Sequence, residues 1–329
     1  MAENRRNDRR SFFKTAGAAA AGVALAEALA GSRAIAGDDR GDFIRSVQRA
    51  RIFDLSHTWD ENSPIASVNP PYHMSLNRTH AGTRGTFDPD GQLSFTSEVQ
   101  DWSGQHGAPS IDAIGHIGHN GKLFGDVDAA ASTSDTRGIG RSGVGAHLDI
   151  AHYPSDLLVN RGVLLDVARR VQGDASPLPA DFKVTDEHLA DTARHQGVRL
   201  RKGDTVLIRT GWAKYFTDAP AMYAGANSTG VVLSGAKFLV KSGARVVGND
   251  TLTFEARPPL AFPPEVPLFQ VFPVHMFVIA DNGVNIIENY FLDEIAAAKE
   301  YEFLLVVPPL KIRGGTGSAL RSFALVGRD

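Results

Sequence analysis

Four short apolar runs rich in Val, Leu and Ile constrain the fold of this chain more than any other feature. They cover residues 162–166, 205–209, 245–248 and 303–307. Each run is bounded by Gly, Asp or Pro, as buried β-strands are, and is too short for a buried helix. Segments of helical character separate them, so the sequence predicts an α/β domain in which strands and helices alternate.

Two of the intervening segments are predicted to be helices. The first covers residues 186–196 and has Thr185 as its N-cap. The second covers residues 234–242 and opens with Ser234. A Ser or Thr side chain at this position accepts a hydrogen bond from one of the unpaired backbone N–H groups of the first turn.

A single domain over about residues 45–329 is the simplest division of the remaining chain. Residues 51–57 are predicted to form its first strand and the turn that follows. Residues 60–94 are rich in Pro, Asn, Gly and Asp, which predicts loops. We find no repeat and no heptad pattern in the sequence.

The beginning of the chain resembles a twin-arginine export signal. Residues 8–14 carry the arginine pair, two phenylalanines and a lysine, and an Ala/Gly-rich stretch and small-residue cleavage sites follow. That stretch is too short and too weakly apolar to be a stable membrane span. The resemblance implies that residues 1–36 are a signal peptide read by the twin-arginine export machinery, and that the protein is periplasmic or secreted. A disordered basic tail before an Ala-rich helix is the alternative.

Composition excludes several classes of function. The formal net charge is −3 and no long basic run is present, so nothing indicates a nucleic-acid partner. The chain has no cysteine, which excludes disulfides, thiolate metal ligands and a cysteine nucleophile. Any metal ion must therefore be held by imidazole and carboxylate groups.

Residues 105–119 contain the densest group of chemically active side chains. Glycine and proline within this stretch prevent a continuous helix, which places His106 on a loop before a short extended segment. In that segment Ser110 and Asp112 share a face because side chains alternate along a strand. His116 lies four residues beyond Asp112 and returns to the same side if a helix begins there.

A carboxylate flanked by imidazoles is a common way for a protein to hold Zn²⁺ or Mn²⁺. The chain has 11 histidines, however, and surface histidines in a Gly-rich loop would give the same spacing. The spacing alone leaves both interpretations open.

The wider sequence resembles the cyclase family, metal-dependent hydrolases related to kynurenine formamidase and isatin hydrolase. The family pattern is roughly His-x-Gly-Thr-His-x-Asp-Ala-Pro-x-His, and His106, Asp112, Ala113 and His116 stand at matching positions. Further similar segments occur in the family's order at residues 54–57, 162–166, 208–212, 248–251, 275–289 and 309–318. The resemblance implies a cyclase-type fold of swivelling β/β/α layers, with a mixed sheet and flanking helices.

The resemblance also implies roles for individual residues. His106, Asp112, His275 and Glu288 would be ligands of a divalent metal, Mn²⁺ or Zn²⁺. His116 would be the catalytic histidine, and Glu288 would share in the catalysis. A buried His or Glu that only satisfies hydrogen bonds is the alternative for each. The family further implies a small-molecule substrate and a homodimer or homotetramer.

One departure from the family pattern qualifies this picture. Ser110 stands where the family has its second histidine, and a protonated hydroxyl is a poor ligand, so Ser110 is at most a weak additional one. We therefore expect weaker metal binding, or a site shifted to the other ligands. His57 is expected to have a supporting or structural role.

The predicted function is that of an exported metal-dependent hydrolase. It would open a small lactone, cyclic amide or aryl amide through a metal-activated water, with His116 or Glu288 accepting a proton. Trp102, Phe95 and Phe124 could line a site for a ring-shaped substrate, or could be core. Two other functions fit the same scaffold: a catalytically weak periplasmic binding protein, and a true cyclase or dehydratase.

Overall fold

A computed structural model describes residues 39–134 and 142–327. The chain divides into two compact units, residues 1–50 with 327–329 and residues 51–326. The first contains helix α1 (Asp39–Arg49), and the second contains all the elements named below. The predicted signal peptide lies outside the described residues. Within the described part of the chain, no helix is both long and apolar enough to cross a bilayer.

A nine-stranded mixed sheet forms the centre of the larger unit, and the other described strands form two-stranded sheets. Numbered in chain order, the strands are β1 (Arg51–Asp54), β2 (His73–Arg78), β3 (Ser97–Asp101), β4 (Ser110–Asp112), β5 (Lys122–Leu123), β6 (Val127–Asp128), β7 (Thr133–Ser134), β8 (Gly143–Val144), β9 (Val159–Asp166), β10 (Lys183–Val184), β11 (Thr205–Arg209), β12 (Gly230–Val231), β13 (Val246–Asn249), β14 (Leu260–Ala261), β15 (Gln270–Val271), β16 (Asn285–Glu288), β17 (Glu302–Val306), β18 (Gly317–Ala319) and β19 (Phe323–Val326). The order across the sheet is β1-β19-β17-β9-β11-β13-β16-β4-β18.

The four central strands β9, β11, β13 and β16 run parallel, whereas β17 and β4 pair antiparallel on either side of them. The predicted α/β class with a mixed sheet is confirmed. Each of the four apolar runs overlaps one strand, namely β9, β11, β13 or β17. Strands β11 and β13, and β9 over residues 162–166, are buried on both faces, which explains why their sequences are continuously apolar. Strand β17 instead alternates between buried and half-buried positions.

Successive residues of the central strands face two separate core clusters. Leu164, Leu207 and Ile287 belong to one cluster, and their neighbours Val163, Val206 and Ile286 belong to the other. Each fully buried side chain of this kind stabilises the fold by about 1.5–3 kcal/mol. The sheet is therefore the layer around which both cores form.

Helices connect many of the strands. They are α2 (His80–Thr83), α3 (Ala129–Ser132), α4 (Val167–Gln172), α5 (Asp186–Gln196), α6 (Ala213–Asp218), α7 (Pro220–Tyr223), α8 (Leu233–Lys241), α9 (Pro273–His275) and α10 (Asp293–Ala297), with 3₁₀ turns at Ile150–His152 and Ser155–Leu157 and a π-helical turn at Met276–Asp281. Leu189 of α5 and Leu239 of α8 enter one core, and Ile295 of α10 enters the other.

The first predicted helix is confirmed and the second is shifted. The side chain of Thr185 accepts a hydrogen bond from the backbone of His188, and Gly197 closes α5 with φ 70°. Helix α8 begins at Leu233, so the prediction that it opens with Ser234 is wrong. The hydroxyl of Ser234 lies inside the first turn, accepts a hydrogen bond from the backbone N–H of Asp186 at 3.4 Å, and does not cap the helix.

The prediction of loops over residues 60–94 is wrong in part, because β2 and α2 lie within this stretch. All six residues of β2 are exposed, so the strand lacks the alternation of buried and exposed positions by which strands are recognised. Helix α2 has only four residues and is capped by Thr79, whose hydroxyl accepts from Gly82 N at 3.2 Å.

Candidate metal centre

Three of the predicted ligands lie together in the structure. One ligand atom from each of Asp112, His275 and Glu288 lies within 4.8 Å of the other two. The Nε2 atom of His275 is 3.2 Å from Glu288 Oε1 and 3.9 Å from Asp112 Oδ2. All three residues are buried. Two carboxylates and one imidazole form a donor set suited to a divalent cation such as Zn²⁺ or Mn²⁺.

Strand pairing places both carboxylates. In the antiparallel pair of β16 and β4, Glu288 lies opposite Ser110. Directly opposite residues of paired strands point to the same face, and so do residues two apart on one strand. Asp112 and Glu288 therefore share a face with Ser110, and the predicted extended segment around Ser110 is confirmed.

A third carboxylate orients His275. Glu255 accepts hydrogen bonds from the backbone N–H groups of Val274 and His275, at 3.3 and 3.1 Å, and so caps the short helix α9. Its Oε1 also lies 2.5 Å from His275 Nδ1. Because an ionised carboxylate only accepts, Nδ1 carries a proton and Nε2 faces Glu288. A carboxylate behind a histidine in this way fixes the ring of a metal ligand.

Our sequence analysis did not identify Glu255. A usable signal was present, since a lone acidic residue follows the apolar residues Leu252 and Phe254 just after the turn at residues 248–251. A charged side chain is seldom fully buried unless it has a partner.

The electrostatics of the centre favour a cation. Burial raises the pKa of Glu288 to about 7, and the charge of Asp112 adds to this against the opposing hydrogen bond from His275. Burial lowers the pKa of His275, but the hydrogen bonds to Glu255 and Glu288 outweigh it and hold the pKa well above 6.5. Three buried carboxylates around one imidazole leave an excess of negative charge, which is costly unless it is compensated. The residues therefore fit a divalent cation.

His116 lies at the edge of this group. Its Nε2 is 3.9 Å from Asp112 Oδ1, and its side chain is 30% exposed. A turn, closed by a hydrogen bond from His116 N to Ala113 O at 3.0 Å, brings it there. No helix begins here, because residues 113–118 form a turn and irregular backbone. The predicted proximity of His116 to Asp112 is found, and its catalytic role stays a prediction.

The side chain of Ser110 is hydrogen-bonded to the backbone. Its hydroxyl donates to Gln105 O at 3.1 Å, and the residue is buried. This hydrogen bond occupies the hydroxyl proton, and a neutral hydroxyl remains a poor ligand.

His106 is not one of the three clustered residues. The indole N–H of Trp59 donates to His106 Nε2 at 3.3 Å, while the buried Nδ1 has no hydrogen-bond partner among the described residues. Burial lowers the pKa of His106 to about 4. A neutral imidazole has one N–H, so His106 carries it on Nδ1 and would have to change tautomer to offer that nitrogen to a metal. Its assignment as a ligand stays a prediction.

The three aromatic residues considered for a substrate wall have different partners. Trp102 makes an edge contact with Trp59 at 5.8 Å, and Trp59 in turn contacts the ring of His106. The ring of Phe95 stacks on Phe87. The ring of Phe124 lies over Gly283, where a Cβ atom would come within 2.6 Å of it.

The surroundings of His57 fit the structural role expected for it. Its ring stacks on Phe216 at 4.0 Å, and burial lowers its pKa to about 4.

Two motifs of the sequence make hydrogen bonds that connect strand ends and loops. Asp250 accepts from the backbone and hydroxyl of Thr210 and from Gly211 N, at 2.6–2.8 Å, and so joins the ends of β11 and β13. Asn289 donates to Gly107 O at 3.1 Å, which links the end of β16 to the loop that carries His106. The second of these hydrogen bonds ties the His106 loop to the end of β16, the strand that carries Glu288.

The fold and the buried acidic group define an α/β protein with a candidate metal site. Comparison with known proteins agrees with this class. The model of the family described as "Putative cyclase" matches residues 53–256. Isatin hydrolase of Roseibium aggregatum is 23% identical over 287 residues, which cover 84% of this chain and 91% of that protein.

Solved structures share the fold. A structure described as a novel cyclase has a TM-score of 0.70 and 26% identity, over 88% of this chain and 93% of that one. Isatin hydrolase A from Labrenzia aggregata, bound to benzyl benzoate, has a TM-score of 0.65 and 21% identity, over 88% of this chain and 100% of that one. The chain belongs to the cyclase family, as its sequence resemblance implied.

Proposed function

We propose that this protein is a metal-dependent hydrolase that opens a small lactone, cyclic amide or aryl amide. The observation that carries the proposal is the buried group of Asp112, His275 and Glu288, in which Glu255 orients the imidazole. Support also comes from the family and from the hydrolase named among its relatives.

Different residues would bind the metal ion and transfer the proton. Asp112, His275 and Glu288 would hold a divalent cation, Mn²⁺ or Zn²⁺, with His106 as a further ligand after a change of tautomer. Such a cation lowers the pKa of a coordinated water from about 16 towards 7 and polarises a carbonyl oxygen. His116 accepts the proton of the attacking water at Nε2 and returns it to the leaving nitrogen or oxygen.

Metal analysis and a hydrolysis screen test this proposal together. We expect the purified protein to contain a stoichiometric amount of Mn or Zn, and a chelator to remove the metal and the hydrolysis of lactones or cyclic amides together. The product should be one water heavier than the substrate, which separates hydrolysis from cyclisation. A stable, metal-free protein without hydrolysis would contradict the proposal.

One observation favours a second candidate, a catalytically weak small-molecule-binding protein. Ser110 replaces an imidazole expected in the family, and its hydroxyl is bound to Gln105 O. Ligand binding without turnover, in a protein free of metal, would support this function.

We also propose that the protein acts after export, in the periplasm or outside the cell. The twin-arginine-like motif at residues 8–14 supports this location. Replacing Arg9 and Arg10 by lysine should retain the protein in the cytoplasm, as cell fractionation would detect; unchanged export would exclude this route.

A further inference from the structure

Arg257 lies two residues after Glu255, which orients His275. Isolated β-bridges join Glu255 to Val231 and Arg257 to Ser228, and the following Pro258 favours an extended conformation at Arg257. Residues two apart in a chain have Cα atoms at most about 7 Å apart. Since Glu255 contacts His275, the backbone of Arg257 lies near the candidate metal centre.

The electrostatics agree with this placement. Burial lowers the pKa of Arg257, and the nearby phenol of Tyr223 and carboxylate of Glu288 act on it in the opposite direction. The guanidinium is therefore close enough to Glu288 to feel its charge.

The guanidinium is held by uncharged groups. Its Nε donates to Ser228 Oγ at 2.9 Å, and its Nη2 donates to the backbone carbonyl of Tyr223. Within residues 39–134 and 142–327, no carboxylate lies at ion-pair distance from it. A guanidinium has five N–H donors, so these two hydrogen bonds leave Nη1 and part of Nη2 available to a ligand.

Unlike Arg257, two other arginines with largely buried side chains form ion pairs with carboxylates. Arg161 contacts Asp204 at 2.6 Å and Glu302 at 2.8 Å. Arg209 contacts Asp166 and Asp293 in the same manner. A partly buried cation without a carboxylate partner is costly, and an incoming anion would remove that cost.

We propose that Arg257 determines substrate specificity by binding a carboxylate group of the substrate. Its planar fork of N–H donors matches a carboxylate, which it can bind through two hydrogen bonds. The substrate class is thus narrowed to amides or lactones that also carry a carboxylate. This narrowing rests on the proposed hydrolase function, whereas carboxylate binding itself does not.

Calorimetry with phenylacetate and its uncharged analogue phenylacetamide tests the proposal on the metal-containing protein. We expect Arg257→Gln to weaken phenylacetate binding about tenfold to a hundredfold, as the loss of charge-assisted hydrogen bonds does. Arg257→Lys should lose less, because it keeps the charge but not the fork. Phenylacetamide binding should be the same in all of these proteins.

Two further variants separate the alternatives. Ser228→Ala removes a hydrogen-bond acceptor of Arg257 but keeps its charge, so phenylacetate affinity should change far less than in Arg257→Gln. In the Asp112→Asn protein, which is expected to lack the metal, adding Arg257→Gln should still weaken phenylacetate binding. Equal phenylacetate affinity in the wild type and Arg257→Gln, with the loss seen only in Asp112→Asn, would overturn the proposal. Melting temperature and metal content verify that Arg257→Gln is folded.

Hydrolysis of 3-acetamidobenzoate and of acetanilide distinguishes this inference from the proposed function. We expect the wild type to prefer the carboxylate-bearing amide in kcat/KM, and Arg257→Gln to lose the preference. Equal decreases for both amides would refute the specificity role and leave the hydrolase intact. Carboxylate binding through Arg257 without turnover of any amide or lactone would refute the hydrolase and leave the anion site.

Discussion

Two buried histidines of the larger unit have partners of opposite character. His275 Nδ1 lies 2.5 Å from Glu255 Oε1, and its Nε2 lies 3.2 Å from Glu288 Oε1. His106 Nε2 instead accepts from the indole of Trp59 at 3.3 Å. Burial lowers the pKa of both, yet carboxylates hold that of His275 well above 6.5, whereas that of His106 falls to about 4.

The partner, and not burial, decides which ring nitrogen can face a cation. A carboxylate acceptor at Nδ1 directs Nε2 of His275 towards the other acidic residues, as a ligand requires. An indole donor at Nε2 has the reverse effect on His106, because it occupies the nitrogen that would carry the lone pair. The acidic side of the site (Asp112, Glu255, His275 and Glu288) is thus arranged for a metal ion. The aromatic side (Trp59 and His106) is not arranged in this way.

The strongest way to break this comparison is Asp112→Asn, which removes a charge from the acidic side with little change of shape. We expect loss of bound metal and a fall in hydrolysis larger than the roughly 10⁴-fold upper limit for a general acid–base group. Metal content by mass spectrometry and kcat/KM measure both. Asp281→Asn is the control, since Asp281 pairs with the surface residue His119 at 2.8 Å. Full metal occupancy in Asp112→Asn would contradict our assignment.

His116→Ala tests a histidine at the edge of the acidic side. We expect kcat to fall by about 10²–10⁴-fold, because a proton acceptor is lost, while the metal content stays the same. His119→Ala, three residues along the chain, should leave both unchanged. If turnover survives His116→Ala, the proposed proton transfer is wrong.

The strands were more predictable from the sequence than the site. Strands buried on both faces produce continuous apolar runs, so β9, β11 and β13 were visible without any structure. Strand β17 was visible too, because its half-buried positions are also apolar. Strand β2 was missed because nothing buries either of its faces within the described chain.

The candidate ligands were found through the family pattern, but their partners were not. Glu255 is 20 residues from His275, and Trp59 is 47 residues from His106. Neither separation has a local periodicity, so only the folded chain shows which residue orients each ring. Arg257 was missed for a related reason: its significance is the lack of a carboxylate partner among the described residues, which no sequence pattern encodes.

Glu255→Gln sharpens the comparison by weakening the feature that distinguishes His275. Glutamine keeps an acceptor for Nδ1 but loses the charge, so we expect metal affinity to fall about 10–100-fold, as for other carboxylates behind metal-bound histidines. Competition with a chelating dye measures the affinity. Glu265→Gln, an exposed position ten residues away, is the control. An unchanged affinity would mean that helix α9 alone positions His275.

Trp59→Phe gives the smallest effect and addresses the aromatic side directly. If His106 is a ligand, as the family pattern predicts, metal binding must break the hydrogen bond from Trp59 to Nε2. That bond is worth about 1 kcal/mol, so its removal should tighten metal binding roughly fivefold. Trp102→Phe is the control, since Trp102 touches Trp59 only through an edge contact. An unchanged affinity in Trp59→Phe would show that His106 remains a structural histidine, and the metal site would then consist of the acidic side alone.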